Sequence, residues 1–351
     1  MKILALTPLR FLAAIVVVIF HYGKELSNLP RILFQGPEMV TFFFVLSGFV
    51  LAIAYLNRPT PSLRDFMISR VARIAPIYLV ALLLVAAWKL KSGEFDVTDF
   101  FLCLFFLQSW FAESALALNS PGWSISVEMF FYAMFPITLV IVRRYAPGST
   151  KPVAICALIW FFTQAINALL IHYFGMNNGF VSYFPPLHLV SFLLGISGGK
   201  LFFEKPASLH SLKGFIPLLL ISILCVISLS MIDDLTLAVT YIDSSGSLCS
   251  PLFLLLILAV ATNDECLSFL KCRYLIILGE ASYALYILQA PVYGLFKRTI
   301  LPMIGDPDIG FLCYCILLVA ISVVVHFFLE VRLSSAIKRA FVINRAQRIG
   351  V

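Results

Sequence analysis

The chain is written in long apolar runs separated by short polar stretches. Runs of spanning length fall near 4–22, 38–56, 73–90, 121–142, 153–174, 186–203, 214–231, 249–262, 274–296 and 310–331. A helix needs roughly 20 apolar residues to cross the hydrocarbon core of a bilayer. Helices are also the only open segments that satisfy their own backbone in lipid. The alternation of a membrane barrel is absent from these runs. The pattern predicts an all-α, polytopic membrane protein with about ten transmembrane helices. One further apolar segment, Phe100 to Phe111, is too short to span and reads as an interfacial or re-entrant piece.

Charge sets the expected orientation. With ten spans and a cytoplasmic N-terminus, 18 of the 25 Lys and Arg residues fall inside, which is the positive-inside pattern. Counting 100–111 as an eleventh span would put Arg143, Arg144 and every later basic loop outside. Both termini are therefore expected in the cytoplasm. A single transmembrane domain is expected over 1-333, with a basic cytoplasmic tail over 334-351. The first span lacks a clean small-residue cleavage site and is expected to stay as a helix. The implied location is the plasma (bacterial inner) membrane, crossed many times.

Composition narrows the function classes. The chain is 61% hydrophobic and only 12% charged. Its net charge of +7 reflects topology and attraction to membrane lipid, and is no argument for a nucleic-acid partner. The cysteines mostly sit in or beside apolar runs, where Cys behaves as a small hydrophobe. None has zinc or disulfide-framework spacing, so no metal is expected. The sequence does not specify an oligomeric state.

Against this apolar background the charged positions stand out. Arg10 and His21 lie in the first run, eleven residues apart. On a helix that spacing puts both on one face, about 16 Å apart along the axis. An intramembrane arginine costs roughly 2.5–3.5 kcal/mol on insertion scales and marks a functional site by default. Histidine can take a proton from a hydroxyl near neutral pH. The competing reading of His21 is an imidazole satisfied at the headgroup boundary.

Four further runs carry candidates. The second holds Ser47-Gly48; Gly48 suits close helix packing, and Ser47 can offer its hydroxyl to a ligand. The third opens with Arg70 and Arg73, three apart on one helix face, followed by Tyr78. They are either positive-inside anchors or a phosphate clamp, since arginine forks match phosphate oxygens. The fourth begins with Trp123, Ser124 and Ser126, then Glu128 and Tyr132. An acid at that depth must be paired, protonated or lining water. Glu128 is expected near the depth of His21, where it could orient the imidazole; the alternative is a structural partner for Arg or Tyr. His188 sits at the outer end of the sixth run, and the ninth carries Ser282, Tyr283, Tyr286 and Gln289. His326 and Glu330, four apart, read as a pair that satisfies itself.

Taken in order, these pieces resemble the membrane-bound acyltransferase 3 family. The resemblance rests on Arg10 through His21, Phe43-Phe44-Val45-Leu46-Ser47-Gly48-Phe49, Arg70 through Tyr78, Trp123 through Glu128 with Tyr132, and Ser282 through Tyr286. Any one motif is weak, but the ordered set is specific. The resemblance implies a ten-helix bundle that takes an acyl group from cytoplasmic acyl-CoA. Acetyl, from acetyl-CoA, is the expected group. The acceptor implied is a hydroxyl of a cell-envelope glycan or lipid-linked glycan.

The resemblance also assigns roles. It makes His21 the essential histidine, Arg10 its partner and Glu128 a supporting acid. Arg70 and Arg73 become contacts to the CoA phosphates, with Ser47 and Tyr78 beside the donor. Trp123, Ser124, Tyr132, Tyr286, Gln289 and His188 are expected on the substrate side. Two positions depart from the family pattern: Gln289 stands where the family often has His, and His188 where it often has Arg. Direct attack on the thioester and an acyl-histidine route both remain open. A transporter of a glycan or lipid-linked precursor is the alternative without chemistry. An acyltransferase for a small secondary metabolite is the alternative with it.

Overall fold

Each apolar run within the described residues forms a helix, as a backbone in lipid must close its own hydrogen bonds. The structure, a computed structural model, describes residues 3–23, 26, 36–174, 179–204 and 247–343. The chain opens with α1 (Leu6–Tyr22), α2 (Gly36–Tyr55), α3 (Leu63–Ser92) and α4 (Val97–Leu104). It continues with α5 (Gly122–Arg143), α6 (Lys151–Phe174), α7 (Gly179–Tyr183) and α8 (Pro185–Glu204). Then come α9 (Ser250–Thr262), α10 (Arg273–Thr299), α11 (Leu301–Ile304), α12 (Pro307–Val325) and α13 (Val331–Lys338). No strand occurs among the described residues.

Among the described residues, seven helical stretches are long and apolar enough to cross a membrane. Leu6–Tyr22 and Ser250–Thr262 are shorter apolar helices. The run at 214–231 lies outside the described residues. By these lengths and compositions the chain is a multi-pass membrane protein.

Local chemistry explains where α3 begins. Ser62 accepts a hydrogen bond from the Asp65 amide, an N-cap that starts the helix ten residues ahead of the apolar run. Arg64, Arg70 and Arg73 therefore ride on a formed helix. The segment 97–111 does not span. It forms α4, turns at Phe106 with φ 59°, and closes with a single 3-10 turn over Gln108–Trp110. Gln108 is buried and donates to the Tyr78 hydroxyl at 3.0 Å and the Gly122 carbonyl at 2.9 Å. Ser126 donates to the Phe106 carbonyl at 2.6 Å. These bonds tie the segment to α3 and to the start of α5.

Glycine lets α2 and α8 meet backbone to backbone. A Cβ on Gly48 would stand 2.2 Å from the Phe192 carbonyl oxygen, and one on Gly195 would stand 2.0 Å from that of Val45. Small residues at such a crossing replace side-chain packing with backbone contact. α1 packs on α2 and on α10, and α3 and α5 close the other side. Beyond α12 the helix continues through a π turn at His326–Glu330 into α13. The division expected at 333/334 therefore falls inside a helix, with Ser334 buried, and not between two elements.

Candidate active site: a basic cavity joined to His21

Five helices converge on a cavity that encloses, with its mouth, about 940 Å³ of empty space. α1 contributes Arg10, α2 Ser47, and α3 Arg70 and Arg73. α5 contributes Ser124, Glu128 and Tyr132, and α10 adds Tyr283 and Tyr286. Arg73 is exposed and marks the open side. Three guanidinium groups thus share one cavity with one carboxylate.

Glu128 is the hub of its polar wall. Its Oε1 accepts from Ser47 Oγ at 3.0 Å and from the Tyr132 hydroxyl in a short bond. Arg70 lies against the Phe66 and Tyr132 rings, 5.4 and 5.9 Å from their centroids. Its Nε is buried and has no hydrogen-bond partner within the protein. Arg10 is half-buried in the cavity wall, and Arg73, Glu330 and Glu128 are the charges that act on it.

That placement corrects the expected depth of Glu128. The carboxylate stands at the level of Arg10, in the basic cavity. The group on the imidazole is a different one: His21 Nδ1 meets Gln289 Oε1 at 3.0 Å. The reason is helix geometry. His21 sits about 16 Å along α1 from Arg10, so a residue that faces Arg10 is out of reach of His21.

His21 itself lies outside the basic cavity but is tied to its wall. Gln289 is fully buried, and its Nε2 donates to the Tyr286 carbonyl at 2.7 Å. The Tyr286 hydroxyl then pairs with Ser124 Oγ at 2.9 Å on the cavity surface. A continuous path of contacts joins imidazole and cavity.

The remaining candidates fall behind this surface. Tyr78 does not line the cavity: it is buried, donates to the Cys103 carbonyl at 2.8 Å and accepts from Gln108. Its place beside the donor is thereby corrected to a bracket for the 97–111 segment. His188 is also buried, with Nε2 3.0 Å from the Ser182 carbonyl, so that nitrogen carries the proton. Its ring packs on Trp123 and Phe44, with centroids 5.5 and 5.6 Å away. Phe44 lines the cavity, so His188 and Trp123 back its wall.

Two residues gain parts beyond those the sequence assigned: Tyr283, read only within the ninth-run motif, and Glu330, read only as the partner of His326. Tyr283 lines the cavity and donates to the Ile74 carbonyl at 2.7 Å, pinning α10 to α3. Glu330 pairs with His326 Nδ1 at 2.9 Å and also faces Arg10 electrostatically. The only signal was an acid in an apolar run, and its neighbour His326 explained it away.

Comparison with known proteins is consistent with this arrangement. The family model described as an acyltransferase domain matches residues 3–327. Acyltransferase MdmB of Streptomyces mycarofaciens is 30% identical over 218 residues, covering 55% of this chain and 55% of that protein. Nodulation protein 10 of Rhizobium leguminosarum bv. viciae is 27% identical over 170 residues, 42% of this chain and 46% of that one. O-acetyltransferase OatA of Staphylococcus aureus is 23% identical over 312 residues, 82% of this chain and 50% of its own. The chain spans about half the length of these curated relatives. No solved structure matches it. A match running from residue 3 to residue 327 covers every helix that builds the cavity, and the chain belongs to the membrane-bound acyltransferase 3 family.

Proposed function

We propose that this protein is a membrane O-acyltransferase that moves an acyl group, acetyl first among them, from acyl-CoA to a hydroxyl of a cell-envelope glycan. The observation that carries this reading is the joining of two unlike sites. A cavity holding Arg10, Arg70 and Arg73 suits a polyanionic donor. A histidine linked to its wall suits the activation of a hydroxyl.

Each residue then has a task. Arg70 and Arg73 hold phosphate oxygens at the mouth, as arginine forks do. The pantetheine arm runs inward past Ser47. Glu128 balances Arg10 and holds the Ser47 and Tyr132 hydroxyls, so the wall keeps its shape when the donor enters. His21 takes the proton of the acceptor hydroxyl as the oxygen attacks the thioester carbonyl. The C–S bond breaks, and CoA leaves as the thiol with the proton that the His21 imidazolium gives up. Arg10 favours negative charge on the donor side.

The direction of transfer rests on the topology proposed from the charge pattern. With ten spans and both termini in the cytoplasm, the basic mouth faces the cytoplasmic acyl-CoA pool and His21 lies near the outer face. The acyl group therefore crosses the membrane within the protein. The name of one relative, O-acetyltransferase OatA, supports acetyl transfer to a hydroxyl oxygen.

The test is acyl-CoA turnover by the purified protein, with mass spectrometry of candidate glycans. Acceptor-dependent release of CoA and a mass gain of one acyl group are expected. Glycan movement across proteoliposomes without CoA release would make the protein a transporter instead.

A further inference from the structure

The group that His21 Nδ1 meets on α10 is an amide, and an amide has direction. Gln289 Nε2 donates to the Tyr286 carbonyl at 2.7 Å. A carbonyl oxygen only accepts, so this bond fixes which end of the amide is nitrogen. The other end, Oε1, faces His21 Nδ1 at 3.0 Å. Because Oε1 only accepts, Nδ1 must carry the hydrogen. A neutral His21 is then the Nδ1–H tautomer, with its lone pair on Nε2.

The amide is itself immobilised. Gln289 is fully buried, and its backbone carbonyl accepts from the Tyr314 hydroxyl at 2.9 Å. Two residues earlier, the Ile287 carbonyl accepts from Asn119 Nδ2 at 3.0 Å. α10 is thus held from α12 on one side and from the 97–121 connection on the other. The Tyr22, Tyr293 and Tyr314 rings pack together next to His21, with Tyr22 and Tyr293 centroids 4.1 Å apart. These tyrosines are titratable groups beside the imidazole on α1, α10 and α12, and α2, whose Gly36 meets Phe20, brings the buried carboxylate Glu38 to the same end of α1.

We propose that Gln289 is a positioning residue that locks His21 in the Nδ1–H tautomer and so delivers Nε2 as the base. This deepens the acyltransferase reading and rests on His21 being that base. The amide supplies direction without charge. Once His21 has taken the proton, Nδ1–H still donates to Oε1, so the bond survives the catalytic cycle.

The experiment compares Gln289→Met and Gln289→Glu with the parent enzyme in acyl transfer from acetyl-CoA, alongside His21→Ala. Met keeps the length but replaces the amide oxygen with a sulfur that accepts only weakly from Nδ1. It should lower kcat roughly tenfold or more, with KM for acetyl-CoA changed by about twofold at most. Glu keeps an acceptor and adds a negative charge that favours the imidazolium. It should retain turnover with the acidic limb of its pH profile moved up by about one unit. Parental kcat in Gln289→Met, or an unmoved limb in Gln289→Glu, overturns the inference. If the Met variant does not fold, the pH limb of the Glu variant decides. An active His21→Ala would instead sink the base assignment itself, whatever the Gln289 variants do.

Discussion

Ser47 and Glu128, 81 residues apart in sequence, meet in a hydrogen bond of 3.0 Å across the α2–α5 contact. The next residue, Gly48, packs on the backbone of α8. One step of about 100° along a helix separates the two faces. The Ser-Gly pair therefore does two jobs: Ser47 shapes the cavity wall while Gly48 sets how close α8 can come.

The first prediction concerns that wall. Glu128→Ala removes the acceptor of two hydroxyls and the carboxylate that shares the cavity wall with the arginines. Hydrogen bonds to charged groups contribute about 1.5–3 kcal/mol, and Glu128 is only partly buried, so a loss towards the lower end is expected. Thermal unfolding of the detergent-solubilised protein should show it. Ser47→Ala should cost less, as Tyr132 still donates to the carboxylate. An equal cost for both would mean that Glu128 is held by other contacts.

Arg70 and Arg73 should respond differently to Lys. Arg73 is exposed at the mouth, and Arg73→Lys keeps a usable cation there. Arg70 lies on the Phe66 and Tyr132 rings with a buried Nε, an arrangement that needs a flat guanidinium. Equilibrium binding of CoA should weaken about tenfold or more in Arg70→Ala and in Arg70→Lys, the loss of one charge-assisted contact. Arg73→Lys should recover much of the affinity lost in Arg73→Ala. Unchanged CoA affinity in both Ala variants would leave the arginines as topological anchors.

His21→Ala should abolish acyl transfer by removing general-base help, a factor of roughly 10² to 10⁴. Membrane insertion should be intact, because Ala is comfortable in an apolar helix. Near-parental turnover with normal abundance would refute the base.

The α2–α8 crossing is a packing prediction independent of chemistry. Gly48→Ala and Gly195→Ala each drive a methyl into a backbone oxygen, so the helices must part. Overpacking of this kind costs about 1–3 kcal/mol. Both variants should melt lower, by comparable amounts, in the purified protein. Parental melting in either would mean that the helices have room to spare.

Orientation can be read with single cysteines in a Cys-free background. Positions near Arg64, Arg144 and Lys338 should resist an impermeant thiol reagent on intact cells, while positions near Asp96 and Asp306 should label. Labelling at 144 from outside would overturn the cytoplasmic placement of the basic mouth.

Much of this molecule follows from the order of its residues. Lipid leaves a backbone few choices, so apolar runs become helices and Arg10 and His21 share a helix face with no help from tertiary contacts. Short length together with the charge bias of the later loops gave the apolar segment 100–111 no span of its own. Side-chain type already marked Arg10 and Glu128 as costly within a span, Arg70 and Arg73 as anchors or a phosphate clamp, and Ser47 as a hydroxyl within reach of a ligand. Which partner each one meets was decided only by how the helices pack. Sequence spacing measures distance along one helix and says nothing about the height at which a second helix crosses it. Glu128 could therefore be placed on α5 but not against Arg10, and Tyr78 on α3 but not behind the 97–111 segment. The contact of His21 with Gln289 joins residues 268 apart, and no periodicity reaches that far. The packing of α1 against α10 creates it, and with it the direction of the imidazole.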